Sequence, residues 1–592
     1  MSVSKQSITK QSASGRKGSV SAARQQSADA GIAMLELGGN AVDAAVAAGL
    51  VAGVIEPMET TLAGSGFMLV HSPEERKTFS VEFAPRAPGA ASPGMYRIDT
   101  SRSTDRGLGI STVVDDENLE GIKAAGVPAT LSGLIKGHER FGKLPLRTVV
   151  EPAIAVARDG FPADSYFALE VLANLAALRR NPGASEVFLS DGDPIPVAHL
   201  GETSLGTPPM VKQARLAETL AMIAEDGITA LTHGAIGDNL VETAQELGGL
   251  LSRDDLREET TRIVEARRLR FRDHDVWGPS APCGTLTQFQ MLKLWERLFP
   301  TGGPQSDTDE RLQRLADVSW HAFADRYHWL ADPDFVPVPE HGLLSDAYID
   351  EIATLIETEA PAPRSLPGDP SPWEMFAGIA AHDPWAHDSS RRRRQEWIAA
   401  GSTEPTSGTT HVSVIDAQGM AVSLTHTAAN HFGSKVVCRR TGLLFDGAMG
   451  WFNARPNAAN SIAGLKRPLA NMAPMILTKD SEARAALGAP GGRRIISAVV
   501  QLAINIIERR MNAEGSVLAA RIDASGPAIL VSERLAHNVR HWDQKRYPTR
   551  LVEEQFAPFG YELARPAIVL RSPEGVISGA TDPFTKGYSS AI

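Results

Sequence analysis

Ser407-Gly408-Thr409-Thr410-His411-Val412-Ser413-Val414-Ile415-Asp416 runs from a small flexible pair into an alternating strand, and the rest of the chain is read outward from it. After Asp416-Ala-Gln-Gly419 the alternation resumes and ends in Leu424-Thr-His-Thr427, which predicts a β-hairpin with Thr409 at its mouth. Two readings of Thr409 compete. Threonine is a common strand former, so Thr409 and Thr410 can simply open the strand. Alternatively, Thr409 is a nucleophile freed as a new N-terminus by cleavage after Gly408. Its hydroxyl would then attack an acyl carbon while its own α-amine takes the proton. A free α-amine titrates at about 7.7–8.0, close to where a general base works best at neutral pH. Gly408 offers no side chain to hinder attack on its carbonyl.

Such a nucleophile needs backbone donors for an oxyanion. Leu487-Gly-Ala-Pro-Gly491-Gly492-Arg-Arg-Ile-Ile is the candidate: two glycines entering a helix can turn N–H groups toward one point. The alternative is a plain strand-to-helix turn. His411, His426 and His431 cluster near the hairpin, but their spacing matches no standard ligand pattern. The threonine chemistry needs neither metal nor cofactor, and no phosphate loop or dinucleotide fingerprint is present.

Outward from the hairpin, a helix is expected from Ser27 to a stop at Gly38-Gly39, and a second, Ala-rich one with Asn40 as N-cap. Thr61-Leu-Ala-Gly-Ser-Gly-Phe-Met-Leu-Val feeds a strand, and Thr78-Phe-Ser-Val-Glu-Phe alternates as another. Pro152 reads as a first-turn proline of a helix near Val150. The helix Ser497-Ala-Val-Val-Gln-Leu and the strand-like Ala567-Ile-Val-Leu follow. Residues 1–26 read as a disordered polar tail, 360–408 as a linker, and the Arg run after Ser390 as a solvated loop.

With 592 residues, length alone suggests about three or four domains, or one large packed unit. Hydrophobic residues at 43% and charged residues at 22% are globular in character, and a net charge of −11 argues against a general nucleic-acid binder. The apolar run from Ala44 to Ile55 is too short to span a bilayer, and the N-terminus lacks a secretory core, so no membrane association and a cytoplasmic location are expected. Cys283 and Cys438 are too few for a disulfide framework.

The chain resembles the γ-glutamyltranspeptidases, of the N-terminal-nucleophile hydrolase superfamily. The resemblance is carried in order by Gly38-Gly-Asn-Ala-Val-Asp-Ala-Ala, Ala63-Gly-Ser-Gly-Phe, Ala125-Gly-Val-Pro, Glu151-Pro-Ala-Ile-Ala-Val-Ala-Arg-Asp-Gly-Phe and Ala324-Asp-Arg-Tyr. Further along come Gly342-Leu-Leu-Ser, Thr409-Thr-His, Leu424-Thr-His-Thr427, Lys466-Arg-Pro-Leu and Pro490-Gly-Gly. It implies an α+β, four-layered αββα fold and a proenzyme cut between Gly408 and Thr409. A large subunit (27–408) and a small one (409–592) would then stay associated. Thr427 would hydrogen-bond the nucleophile, and Gly491 and Gly492 would form the oxyanion hole.

The specificity positions depart from the family. Ala84 stands where the arginine that binds the substrate α-carboxylate is expected, with Arg86 two residues on. Ala429 replaces an asparagine, with Asn430 one step along. Ala448 replaces a Gln/Glu, Trp451 an aspartate, and Ala470-Asn471 a serine pair. Arg86, Asn430, Trp451 and Asn471 are therefore the candidate substrate-binding residues. The expected substrate is a small carboxylate-bearing amide, handled as in the family's acylase and amidohydrolase branches. A true γ-glutamyl enzyme and a catalytically silent binding homologue are the alternatives.

Overall fold

The computed structural model describes residues 12–101, 112–196, 209–258, 261–358 and 408–592, apart from 457, 527, 545, 555–561 and 583. The expected linker over 360–408, except Gly408, and the arginine run lie outside the described residues.

The hairpin forms as read, Thr410–Asp416 pairing antiparallel with Ala421–Thr427. It is the middle of a seven-stranded sheet ordered Tyr588–Ala591, Gly18–Ala22, Thr410–Asp416, Ala421–Thr427, Ser65–Ser72, Lys77–Phe83, Arg262–Glu265. A second seven-stranded sheet runs Ser12–Gly15, Ile577–Thr581, Ala567–Arg571, Glu482–Gly488, Met475–Lys479, His274–Gly278, Arg267–Phe271. The period of two along a strand assigns the faces. Val412, Val414, Val422 and Leu424 join the cluster under helices Gln25–Glu36, Ala41–Ile55, Thr130–Phe141 and Leu146–Asp159. The alternate residues Ile415 and Ala421 instead pack with Ile476, Ala486, Val569 and Ile577 of the other sheet. The outer face of that second sheet packs against helices Thr285–Leu298, Asp309–Trp329 and Arg494–Ile507. Four layers result: helices, sheet, sheet, helices.

The layer between the sheets is partly polar and satisfied across the gap. Ser423 Oγ donates to the Leu487 carbonyl at 2.8 Å, Ser413 Oγ to Ala567 at 3.0 Å, and Ser21 Oγ to Ile568 at 2.9 Å. Those bonds explain a correction. Within the expected polar tail, Ser12–Gly15 and Gly18–Ala22 are strands, one in each sheet, and the second is buried throughout.

Asn40 caps the second helix as expected, in a capping box with Asp43, and Gly38 ends the first helix with φ 84°. Pro152 is not in a first turn; it sits inside the helix Leu146–Asp159. Among the described residues no helix is long and apolar enough to cross a membrane.

Candidate active site

Thr409 lies at the mouth of the hairpin, on the face shared with His411 and Ser413, between the sheets. Its Oγ1 is 2.7 Å from the Gly408 carbonyl oxygen and 3.2 Å from Thr427 Oγ1. The Thr427 hydroxyl donates to the same Gly408 carbonyl and accepts from Ala429 N at 2.8 Å. One carbonyl therefore receives the attention of two hydroxyls. A residue larger than glycine does not fit at 408, since an added Cβ would come 2.4 Å from the Met58 carbonyl oxygen.

The loop Gly491–Gly492 follows the strand Glu482–Gly488, whose last residue abuts the His411 ring; a Cβ on Gly488 would lie 2.1 Å from His411 Cε1. This brings the loop to the same end of the layer as Thr409. Gly491 and Gly492 have φ of 139° and 59°, which favour glycine. Their carbonyls accept from Arg494 N and Ile495 N, each at 3.2 Å, as in a first helical turn. In a trans peptide the N–H opposes the carbonyl, so the N–H groups of Gly492 and Arg493 point away from the helix Arg494–Ile507, the orientation of an anion-binding N-terminus. Burial pushes the Arg493 guanidinium down to about 10, so it stays charged beside this loop at neutral pH.

The sequence reading missed the groups around the Thr409 nitrogen. Thr409 N donates to Glu59 Oε2 at 2.9 Å, and Tyr166 OH donates to Glu59 Oε1. Glu59 sits in a turn after the helix Ala41–Ile55, and its carbonyl accepts from Ala428 N at 3.1 Å, just past the hairpin's end. Glu56 accepts from Thr410 Oγ1 at 3.1 Å; burial pushes its carboxyl up to about 7, against the attraction of Arg24. The available signal was Glu56-Pro-Met-Glu59, two acids inside an otherwise apolar stretch. Ser65, cross-strand from Thr427, was also missed; its buried hydroxyl has no hydrogen-bond partner among the described residues.

Both hairpin histidines are buried, which pushes His411 and His426 down to about 3 and leaves them neutral. His411 bridges Thr425 and Ser413, and His426 Nδ1 lies 2.7 Å from Thr60 Oγ1. Among the described residues no group of three or more His, Cys, Asp or Glu is placed to hold a metal.

Three of the departures come together. Ala84 and Ala470 pack with Phe67, Cys283 and Met472 in one buried apolar cluster, and Trp451 lies against it. Phe67 pairs with Thr425, so it shares the inner face with Thr427. Thr409, Thr427, Ser65 and Ala84 thus line one end of the sheet on adjacent strands, with about 4.8 Å per strand. Asn471 Oδ1 is turned to the buried Arg326, whose guanidinium also holds the carbonyls of Ala470 at 2.6 Å and Cys283 at 3.0 Å.

Arg86 points elsewhere. Its Nε donates to the Leu465 carbonyl at 2.8 Å and its Nη2 pairs with Glu258 at 3.3 Å. Asn430 is buried beside the hairpin's end, and its amide lies 3.4 Å from the Gly447 carbonyl.

A family model described as gamma-glutamyltranspeptidase matches residues 27–592. The glutathione hydrolase proenzyme of Escherichia coli (strain K12) is 30% identical over 522 residues, 86% of this chain and 80% of that protein. The acylase ACY 1 proenzyme of Pseudomonas sp. (strain V22) is 32% identical over 537 residues, 90% of this chain and 86% of that protein. Among solved structures, the cephalosporin acylase from Bacillus halodurans superposes with a TM-score of 0.78 at 22% identity, over 100% of this chain and 98% of that one. That last likeness is one of fold.

Proposed function

The chain belongs to the gamma-glutamyltranspeptidase family, and from that premise we propose that it is a proenzyme whose Thr409, freed by self-cleavage after Gly408, hydrolyses or transfers the acyl group of a small amide. The observation that carries this reading is the placement of Thr409 Oγ1 at 2.7 Å from the Gly408 carbonyl oxygen, with the Thr427 hydroxyl on the same oxygen. In the precursor, Oγ1 attacks the Gly408 carbonyl carbon and the Gly408–Thr409 C–N bond breaks. The hydroxyl proton ends on the departing nitrogen, and water hydrolyses the resulting ester. In turnover the same hydroxyl attacks an external amide and the released amine carries away a proton. Water or a second amine then takes the acyl group from Thr409. Gly491 and Gly492 supply the oxyanion donors.

The two products remain one body. Both sheets combine strands from 409–592 with strands from before Gly408, so neither sheet is complete in one piece without the other.

The apolar set around Ala84, Ala470 and Trp451 favours an acyl group without an α-amino acid end, the chemistry named for the acylase relative rather than the glutathione hydrolase one. Burying an unpaired charge of a clamp costs about 2–5 kcal/mol. Intact-mass measurement of wild type and Thr409→Ala, followed by assay of wild type on acyl anilides, tests the proposal. Wild type should split at Gly408/Thr409 and the variant should stay whole and inactive. Acyl anilides without an α-amino acid end, with or without a distal carboxylate, should turn over at least about tenfold faster than the γ-glutamyl anilide, from the lower end of that cost. An uncut wild-type chain would sink the mechanism, and a preference for γ-glutamyl anilide would sink the substrate class.

A further inference from the structure

We propose that Glu59 completes the catalytic group: its carboxylate holds the Thr409 nitrogen in the precursor and backs the Thr409 α-amine as general base after cleavage. The inference rests on Thr409 becoming N-terminal and assigns a role to a side chain outside the nucleophile and oxyanion machinery.

Glu59 touches a reacting atom. Its Oε2 accepts from Thr409 N at 2.9 Å, the nitrogen that leaves Gly408 during maturation. Its position is fixed on both sides. Tyr166 OH donates to the other oxygen, and the Glu59 backbone carbonyl is bonded to Ala428 N. Glu59 N and Thr60 N both donate to the Glu56 carbonyl, at 2.8 and 2.9 Å, closing the turn beneath it. Glu59 is buried, so its interaction with a charge on that nitrogen is little screened by solvent.

The chemistry follows the nucleophile, base and orienter pattern with the nitrogen as the middle member. During turnover the Oγ1 proton of Thr409 passes to the α-amine as the new C–O bond forms, leaving an ammonium against the Glu59 carboxylate. When the tetrahedral intermediate collapses, that proton goes to the leaving amine. Water then attacks the acyl ester, giving a proton to the α-amine, which returns it to Oγ1 as the acid is released. Every proton borrowed by the nitrogen is returned, and Glu59 keeps its own charge throughout. Its contribution is to stabilise the positive charge that exists only while the proton is on the nitrogen.

The charged and titratable surroundings come from several elements. Glu56 lies in the same turn, on Thr410. Arg24 and Arg565 lie over the Tyr166 ring at 5.4 and 5.7 Å. Asp164, at the head of the Tyr166 helix, pairs with Arg24 at 3.3 Å and Lys586 at 3.1 Å. His426 is neutral through burial. Of these groups, Glu59 is the one bonded to the nitrogen.

The test is Glu59→Gln, which keeps the shape and removes the charge, with Glu59→Asp as the charge-keeping control. Cleavage is followed by intact mass, turnover by the pH profile of kcat/KM, and folding by the thermal midpoint against the uncut Thr409→Ala chain. An adjacent opposite charge moves a pKa by about 1–3 units. The acid limb of Glu59→Gln should therefore fall by about one pH unit or more, with kcat down about tenfold or more. Glu59→Asp should keep the limb while losing rate. A Glu59→Gln chain that folds like Thr409→Ala but does not cleave also supports the proposal. Wild-type cleavage and an unmoved limb in Glu59→Gln would overturn it.

Should Glu59→Gln not fold, the pH dependence of cyanate labelling at the wild-type Thr409 amine decides. A value above the ordinary α-amine range of about 8 supports the role, and a value at or below it overturns the role. Failure of wild type to cleave would instead overturn the underlying reading.

Discussion

Around the Thr409 nitrogen, Glu59, Tyr166, Glu56 and Thr410 form a buried set of hydrogen-bonded polar groups. At the far end of the same sheet edge, Phe67, Ala84, Cys283, Ala470 and Met472 pack with Trp451 as an apolar cluster. The first region is tied to the hairpin backbone: Glu59 is bonded to Ala428 and Thr427 to Ala429. The second is assembled from side chains on segments far apart in sequence. The contrast teaches why proton chemistry and substrate recognition can diverge separately on one fold. Under the proposed function, the chemistry is held by bonds to the hairpin backbone, and the recognition by side chains of Phe67, Ala84, Cys283, Ala470, Met472 and Trp451.

The largest effect should come from breaking the polar side. Thr427→Val keeps the side-chain shape but removes the hydroxyl that donates to the Gly408 carbonyl, the oxygen that carries negative charge when Thr409 attacks. Loss of one such donor costs about 10²–10³-fold in rate. It also leaves Ala429 N without the Thr427 oxygen it donates to, at a cost of about 1–3 kcal/mol. The time course of precursor cleavage, followed by mass, should slow by that factor. Cleavage at the wild-type rate would show that the Thr427 hydroxyl does not serve the reaction.

The polar side was only half legible in the sequence. The hairpin and the glycine turn could be read because alternation and glycine placement are local signals, whereas the roles expected of Thr409 and Thr427 came from the resemblance to the family. Glu59 could not be read, since its role depends on a turn brought back against the hairpin by the helix Ala41–Ile55. The strands within Ser12–Ala22 were misread for a related reason. Ser19 and Ser21 look solvent-loving, yet in the layer between two sheets they find carbonyls on neighbouring strands, Ser590 at 2.9 Å and Ile568 at 2.9 Å. A buried serine with a partner costs little, and composition alone cannot show the partner. The apolar side was legible as missing clamps at Ala84, Trp451 and Ala470, but not as one cluster, because no local pattern links positions so far apart.

A middle-sized effect should separate the two regions. Trp451→Ala removes the half-buried indole that lies against Phe67, Ala84, Cys283, Ala470 and Met472. Truncating a fully buried tryptophan costs about 3–5 kcal/mol; for this half-buried one the loss should be about 1–3 kcal/mol. The comparison above demands that the precursor still cleaves at the wild-type rate, since Trp451 packs on the apolar cluster while Thr409 is bonded to Glu59, Gly408 and Thr427. KM for uncharged acyl anilides should rise by about tenfold, read from steady-state kinetics on the cleaved enzyme. A cleavage defect as large as the KM change would show that the regions are coupled.

The smallest effect concerns Arg86, the residue the sequence offered as a carboxylate clamp. Its Nε is bonded to the Leu465 carbonyl and its Nη2 to Glu258, whose carboxylate is well exposed, while its buried Nη1 has no hydrogen-bond partner among the described residues. Arg86→Gln gives up one backbone bond, worth about 1 kcal/mol, and one solvent-screened ion pair, worth about 0–1 kcal/mol. It also relieves the guanidinium of an unsatisfied buried donor, which offsets part of that loss. The thermal midpoint should fall by no more than about 2–4 °C, the shift about 1 kcal/mol makes in a large domain. KM for carboxylate-bearing amides should stay within about twofold of wild type. A tenfold rise in KM, confined to substrates that carry a carboxylate, would return Arg86 to the site. It would also mean that the apolar flank of Thr409 is only the inner half of a longer acyl pocket, ended by a cation.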